Sequence, residues 1–266
     1  MYDLAQVRWA TDALWAAIAE ALTARGIAAP ATLDRRADHA SAWTEPGLVL
    51  SQACGYPFAT RLRGRVRLVA VPTYRAQGCE RARYRSLVFV RAGDPARCLA
   101  DLRFRRVAYN ARDSQSGYNA LRAMAAPLAV GGRFFSSAIA TGSHAASLAA
   151  VHAGQADVCA VDCVAWALLA RHEPTLAGGL RCIGRTPTAP GLPFVTSAAA
   201  DEATVAALRS ALREALSRSD GVAVRDALLL DGFAEAVEAE YDEVLEQERR
   251  AAALGYPELD GVVTSA

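Results

Sequence analysis

Between an apolar run, Arg106 to Tyr109, and a helix-like run that begins at Tyr118, the chain reads Asn-Ala-Arg-Asp-Ser-Gln-Ser-Gly from Asn110 to Gly117. Hydroxyls and a glycine at a strand-to-helix turn suit an anion. The N–H groups of a first helical turn lack partners inside the helix, and their aligned dipoles favour negative charge. Ser114 and Ser116 add donors, Gln115 lies between them, and Gly117 lets a ligand come close to the main chain. The plain alternative is an ordinary helix cap, for which Ser and Asp are the usual residues. A second such junction follows at Thr141-Gly142-Ser143-His144, and a third where the apolar run Ala156 to Val161 ends in Asp162. Three successive strand-to-helix junctions with polar tips fit the rule that parallel sheets bind ligands beyond the carboxyl ends of their strands.

The rest of the chain must position those tips. With 266 residues, 53% of them hydrophobic, there is ample material for one large or two modest domains. A net charge of +1 gives no global field for nucleic acid or a membrane surface, and no apolar run is long enough to span a bilayer. No secretory signal opens the sequence, which as written predicts a cytoplasmic protein. Lysine is absent altogether, which excludes a P-loop of the usual kind and any lysine Schiff base, including that of pyridoxal phosphate. The six cysteines form no C-x-x-C pair and read mostly as small buried thiols; neither a metal nor another cofactor is expected.

Apolar spacing at Val7, Ala10, Leu14, Ile18 and Leu22 predicts a helix over Val7 to Ala24. Strands are expected at Ala31 to Asp34, Leu48 to Ser51, Arg67 to Val71, Tyr84 to Arg91, Arg105 to Asn110, Phe134 to Ala140, Ala156 to Asp162, Leu180 to Gly184 and Phe194 to Ser197. Helices are expected at Phe58 to Leu62, Pro95 to Leu102, Ala145 to Ala153, Cys163 to His172, Glu202 to Ser217, Val222 to Leu230 and Glu235 to Ala253. The alternation is that of an α/β fold. Arg185 to Pro193 is punctuated by prolines and reads as an extended connection between domains.

Four ordered segments resemble the phosphate, phosphite and phosphonate substrate-binding proteins of ABC transporters, a branch of the type 2 periplasmic-binding-protein fold. They are Tyr84-Arg85-Ser86 leading to Leu99 to Arg103 and Arg106 to Ala108; Ser114 to Tyr118; Thr141 to His144; and Gly154 to Val158. The resemblance implies two α/β lobes joined by two hinge crossings, Tyr84 to Arg91 and Arg185 to Val195, with the ligand cleft between them. It places residues 1–90 and 188–266 in lobe one and 91–187 in lobe two. It implies that Ser114, Gln115, Ser116, Gly117 and His144 hold a small oxyanion such as phosphate, phosphite or a phosphonate. Asp162 then sits near the ligand's other end, and Gln52 and Tyr56 cover it from the first lobe. Tyr2 belongs to Met1-Tyr2-Asp3, which looks like the family's first ligand loop without the strand that precedes it; either the start is internal or the sheet compensates. An ABC permease is the partner implied, and the family is periplasmic.

Each residue keeps a second reading at this stage. His144 is either a buried structural imidazole or, if protonated, a strong anion donor. Asp162 repels phosphate unless it holds a ligand ammonium, which hints at an aminophosphonate. Tyr56 packs or binds, and Trp9, Trp15, Trp43 and Trp166 read as core or lobe surface. A serine hydrolase has the residue types but no Gly-x-Ser-x-Gly elbow. A small-molecule biosynthetic enzyme on the same two-lobed fold, as in menaquinone-pathway and pyrimidine-synthesis proteins, or a cytosolic ligand sensor, are the alternatives to a non-catalytic binding protein.

Overall fold

The computed structural model describes residues 2–35, 39–218 and 221–260. Packing divides the chain into two units, Met1–Arg75 with Pro190–Glu240, and Ala76–Ala189 with Tyr241–Ala266.

In the first unit, four strands hydrogen-bond in the order Ser51–Gln52, Phe194–Ser197, Val66–Tyr74, Leu230–Ala234, every neighbouring pair antiparallel. The helices Arg8–Thr23 and Glu202–Ser217 bury one stripe each: Trp15, Ile18 and Leu22 from the first meet Leu208, Leu212 and the sheet residues Val69 and Ala70. Spacings of three and four put those side chains on a single face. Asp201 starts the second helix by accepting from the Thr204 N–H at 2.8 Å.

Three expectations change here. Ala31 to Asp34 is loop, not strand, and the Pro30 carbonyl just before it accepts from Trp15 Nε1 at 3.0 Å. Pairing of the Leu48 to Ser51 run is confined to Ser51–Gln52. The helix expected to reach Leu230 stops at Leu228, because Leu229 turns left-handed at φ +56° and delivers the chain into the strand Leu230–Ala234.

The second unit holds a five-stranded sheet in the order Ser137–Ala140, Arg106–Tyr109, Val158–Asp162, Ser86–Arg91, Leu180–Arg185. The first three run parallel, and Ser86–Arg91 is antiparallel to both of its neighbours. Ser86 therefore pairs with Asp162, so the start of this strand lies on the edge where the parallel strands end. Tyr84 to Arg91, expected as a crossing between lobes, is thus mainly an interior strand. Its run Leu87 to Val90 is buried throughout and needs paired backbone on both sides.

The chain passes between the units at Arg75–Ala76, Ala189–Pro190 and Glu240–Tyr241. The third passage moves the C-terminal segment out of the lobe expected for it. Ala251, Tyr256 and Leu259 sit in the second unit's core with Val90, Val107, Tyr118 and Phe134. Asn119 Nδ2 donates to the Val244 carbonyl at 3.1 Å and Arg122 to the Pro257 carbonyl at 2.6 Å. An acidic outer face on the Asp242–Ala253 helix hides this narrow apolar stripe in the sequence.

Among the described residues no helix is long and apolar enough to cross a membrane, and no group of three His, Cys, Asp or Glu residues is placed to hold a metal.

Candidate functional site

All three polar tips lie at the carboxyl ends of the parallel strands of the second unit. Beyond Tyr109 the chain turns through Asn110, and Ser114, in an extended conformation, caps the Gln115–Asn119 turn that leads into the helix Ala120–Ala125. That turn is wound as a π-helix, a geometry that recurs at functional sites. Ser114 Oγ accepts from the Gly117 N–H at 3.0 Å and lies 3.5 Å from Ser116 Oγ. Beyond Ala140, Gly142 at φ +87° lets the chain double back, its N–H donating to the Asn110 carbonyl at 2.9 Å. Ser143 then caps the His144–His152 helix by accepting from the Ala146 N–H at 3.1 Å. The outcome is a Ser116 Oγ to His144 Nε2 contact of 3.0 Å joining the first two tips.

Gly117 is fixed by proximity. A Cβ there would stand 1.9 Å from Asn110 Oδ1 and 3.2 Å from His144 Cε1. Asn110 Oδ1 and His144 Nδ1 are both shut off from solvent with no hydrogen-bond partner, and buried polar atoms in that state are uncommon. Burial pulls the His144 pKa down to about 4, so the ring is neutral near pH 7. The protonated imidazole considered from sequence gives way to an uncharged one, which donates from one nitrogen and accepts at the other.

The other expected residues are placed as follows. Asp162 is buried and caps the Cys163–His172 helix, its Oδ1 accepting from the N–H groups of Val164 at 2.7 Å and Ala165 at 3.1 Å. Asp162 thus has a structural task at the helix start through Oδ1. Gln115 is 1% exposed and turned inward: its amide donates to Gln247 Oε1 at 2.7 Å and its carbonyl accepts from Asn119 Nδ2 at 2.7 Å. It holds the turn from behind. Within the first unit, Gln52 donates to the Leu192 carbonyl at 3.2 Å, and Tyr2 meets Tyr74 edge to face at 5.1 Å. Those two line a cavity of about 400 Å³ walled by Trp15, Trp43 and Phe194, whereas Tyr56 does not face it. Of the tryptophans, Trp15 and Trp43 are buried, Trp9 is exposed, and Trp166 stacks on Phe89 at 4.1 Å.

Two contributors escaped the sequence reading. Ser86 is buried and its Oγ donates to the Ser116 carbonyl at 2.8 Å, fixing the turn from the neighbouring antiparallel strand. Asn110 abuts Gly117. The first signal was a hydroxyl at the head of an apolar run, and the second a lone amide just past a strand.

Serine, histidine and aspartate do not assemble for acyl transfer. Ser116 meets His144, but Asp162 is occupied by main-chain amides and His144 Nδ1 has no partner, so nothing orients the imidazole as a catalytic base. What the geometry offers is a fixed cluster of neutral donors at a helix start.

A family model described as the periplasmic substrate-binding protein of a phosphonate ABC transporter matches residues 45–241. No curated protein matches the sequence. Among solved structures, PhnD1 from Prochlorococcus marinus in complex with methylphosphonate is similar at a TM-score of 0.74 and 15% identity, over 92% of this chain and 94% of that one. A binding-protein component of an ABC phosphonate transporter from Pseudomonas aeruginosa gives 0.73 at 16% identity, over 91% and 82%. XAC2383 from Xanthomonas citri, bound to ATP, gives 0.70 at 20% identity, over 94% and 95%. At such identities the structures speak to the two-lobed binding-protein fold alone.

Proposed function

Because the chain belongs to the phosphonate periplasmic substrate-binding family of ABC transporters, we propose that it carries a small phosphonate or phosphate-like anion on the Ser114–Gly117 turn. The hydroxyls of Ser114 and Ser116, the His144 ring and the first helical turn are the donors. The carrying observation is the Ser114–Ser116–His144 cluster, with Gly117 held against Asn110. An anion leaves water at tolerable cost only where fixed N–H and O–H groups replace its hydration. Here those groups are uncharged, so recognition rests on oriented dipoles. Tyr2, Gln52 and Tyr56 of the first unit enter the proposal as further contacts, on the family resemblance. Asp162 and Gln115 enter it as supports of the seat.

The family's role is solute binding, and the reading is non-catalytic: the protein delivers its ligand to a permease and leaves it chemically unchanged. The family is periplasmic, and nothing in the fold supports the cytoplasmic expectation. Calorimetry against phosphate, phosphite, methylphosphonate and 2-aminoethylphosphonate tests the proposal. Saturable heat with at least one of them is expected, and Ser116→Ala or His144→Ala should each remove about 1–3 kcal/mol of it in binding free energy. A folded protein silent to all four would end the anion reading, and turnover of any of them would replace it with an enzymatic one.

A further inference from the structure

The second unit opens with a short segment, Ala76 to Glu80, that lies against the start of the Cys163–His172 helix. Gly78 makes the approach possible. At φ +108° it adopts a conformation that side chains avoid, and a Cβ there would lie 3.0 Å from Cys163 Cβ and 3.3 Å from Cys163 Sγ. The next residue, Cys79, brings its Sγ to 3.6 Å from the Cys163 Sγ, across 84 positions of sequence. None of the six cysteines is bridged, and these two are the pair in sulfur contact.

We propose that Cys79 and Cys163 are a dithiol–disulfide pair, which on oxidation fastens the opening segment of the second unit to the helix start beside Asp162. The sulfurs must close by less than the width of an atom, a movement that side-chain rotation and a glycine-bearing loop allow.

The charged neighbours are Asp162, which caps the helix carrying Cys163, and Arg85, whose guanidinium pairs with Glu80 and whose Cγ would lie 3.3 Å from a Cβ on Gly78. A hydrogen bond from Cys79 lowers the Cys163 thiol pKa and raises that of Cys79, so the first proton leaves from Cys163. Cys163 is buried and Cys79 is half-buried, so a small disulfide oxidant reaches Cys79. The Cys163 thiolate takes the Cys79 proton across their 3.6 Å contact as the Cys79 sulfur attacks the oxidant, forming a mixed disulfide and releasing one small thiol. Cys163 sulfur then attacks Cys79 sulfur and expels the second. Two protein S–H bonds and the oxidant's S–S bond are exchanged for one protein S–S bond and two small-molecule S–H bonds.

The location gives the bridge a consequence. The segment that it fastens follows the Arg75–Ala76 passage directly, and Cys163 succeeds the Asp162 that pairs with Ser86, the residue holding the Ser116 turn. Oxidation should therefore stiffen the edge that carries the seat.

The test uses the full chain, reduced and then exposed to oxidised glutathione, with alkylation and peptide mapping by mass spectrometry. A peptide joining Cys79 to Cys163 is expected, with Cys98 and Cys182 still alkylated. Slower amide exchange over residues 76–80 should accompany it, together with a thermal midpoint that rises on oxidation in the wild type and in Cys98→Ser/Cys182→Ser but not in Cys79→Ser. Full alkylation of both residues after oxidation, or a bridge that links other cysteines, would overturn the proposal. Because the mapping is done on the unaltered protein, misfolding of a variant leaves it decisive.

Discussion

The two units solve different problems with the same ingredients. In the second, three parallel strands end on one edge, and two of them deliver capped helices whose first turns bring Ser114, Ser116 and His144 together. In the first, all strand pairs are antiparallel, and the residues expected to bind, Gln52 and Tyr2, sit on an aromatic-walled cavity with their polar or ring contacts directed at a carbonyl and at Tyr74. Parallel strands followed by helices align main-chain dipoles at one edge; an antiparallel sheet has no such alignment. Oriented main-chain and hydroxyl groups therefore gather in the second unit, and an aromatic-walled cavity in the first.

The sharpest way to break this contrast is Gly117→Ala. Its methyl group would collide with Asn110 Oδ1, so a stability loss of about 1–3 kcal/mol in denaturant titration and abolished ligand heat are expected. An alanine variant with full affinity would mean that the turn is not the seat.

Acid titration isolates His144. Its folded pKa lies near 4, below the unfolded value of 6.5, so the unfolded chain binds the extra proton first as pH falls. The contribution is whole above about pH 6.5 and is lost progressively between there and pH 4, amounting to about 2–3 kcal/mol. Unfolding free energies of wild type and His144→Gln measured across that window should diverge in slope, and parallel curves would show the ring to be solvated.

Ser116→Ala against Gln52→Ala sharpens the comparison directly. The first should weaken binding about 10- to 100-fold, the second by less, and the reverse order would move recognition to the first unit. The smallest effect is expected from Asp162→Ala. Losing the cap should cost about 0.5–2 kcal/mol of stability while weakening affinity for an uncharged-tail ligand such as methylphosphonate by less than either of those two variants.

Strand-helix alternation and the polar tips were legible in the residues, because hydroxyls and glycine punctuate apolar runs. Ser114, Ser116, Gly117 and His144 came from that pattern and lie together. What stayed hidden was direction. An apolar run such as Leu87 to Val90 shows that it is buried but not which way it points, so the role of Ser86 depended on an antiparallel register that no local signal carries. Inward rotation of Gln115 was equally invisible, since its partner Gln247 is 132 positions away. The capping role of Asp162 was not separable in sequence, because a carboxylate beyond a strand serves as a cap or as a contact equally well.

The partnership between Gln115 and Gln247 has a bearing on how the molecule comes into being. A ribosome releases the serine turn long before it releases the residues that brace it, and Tyr256 and Leu259, which complete the hydrocarbon interior beneath it, emerge later still. Binding competence should thus wait until residues 247–259 have left the ribosome, making that segment a checkpoint on every newly made copy.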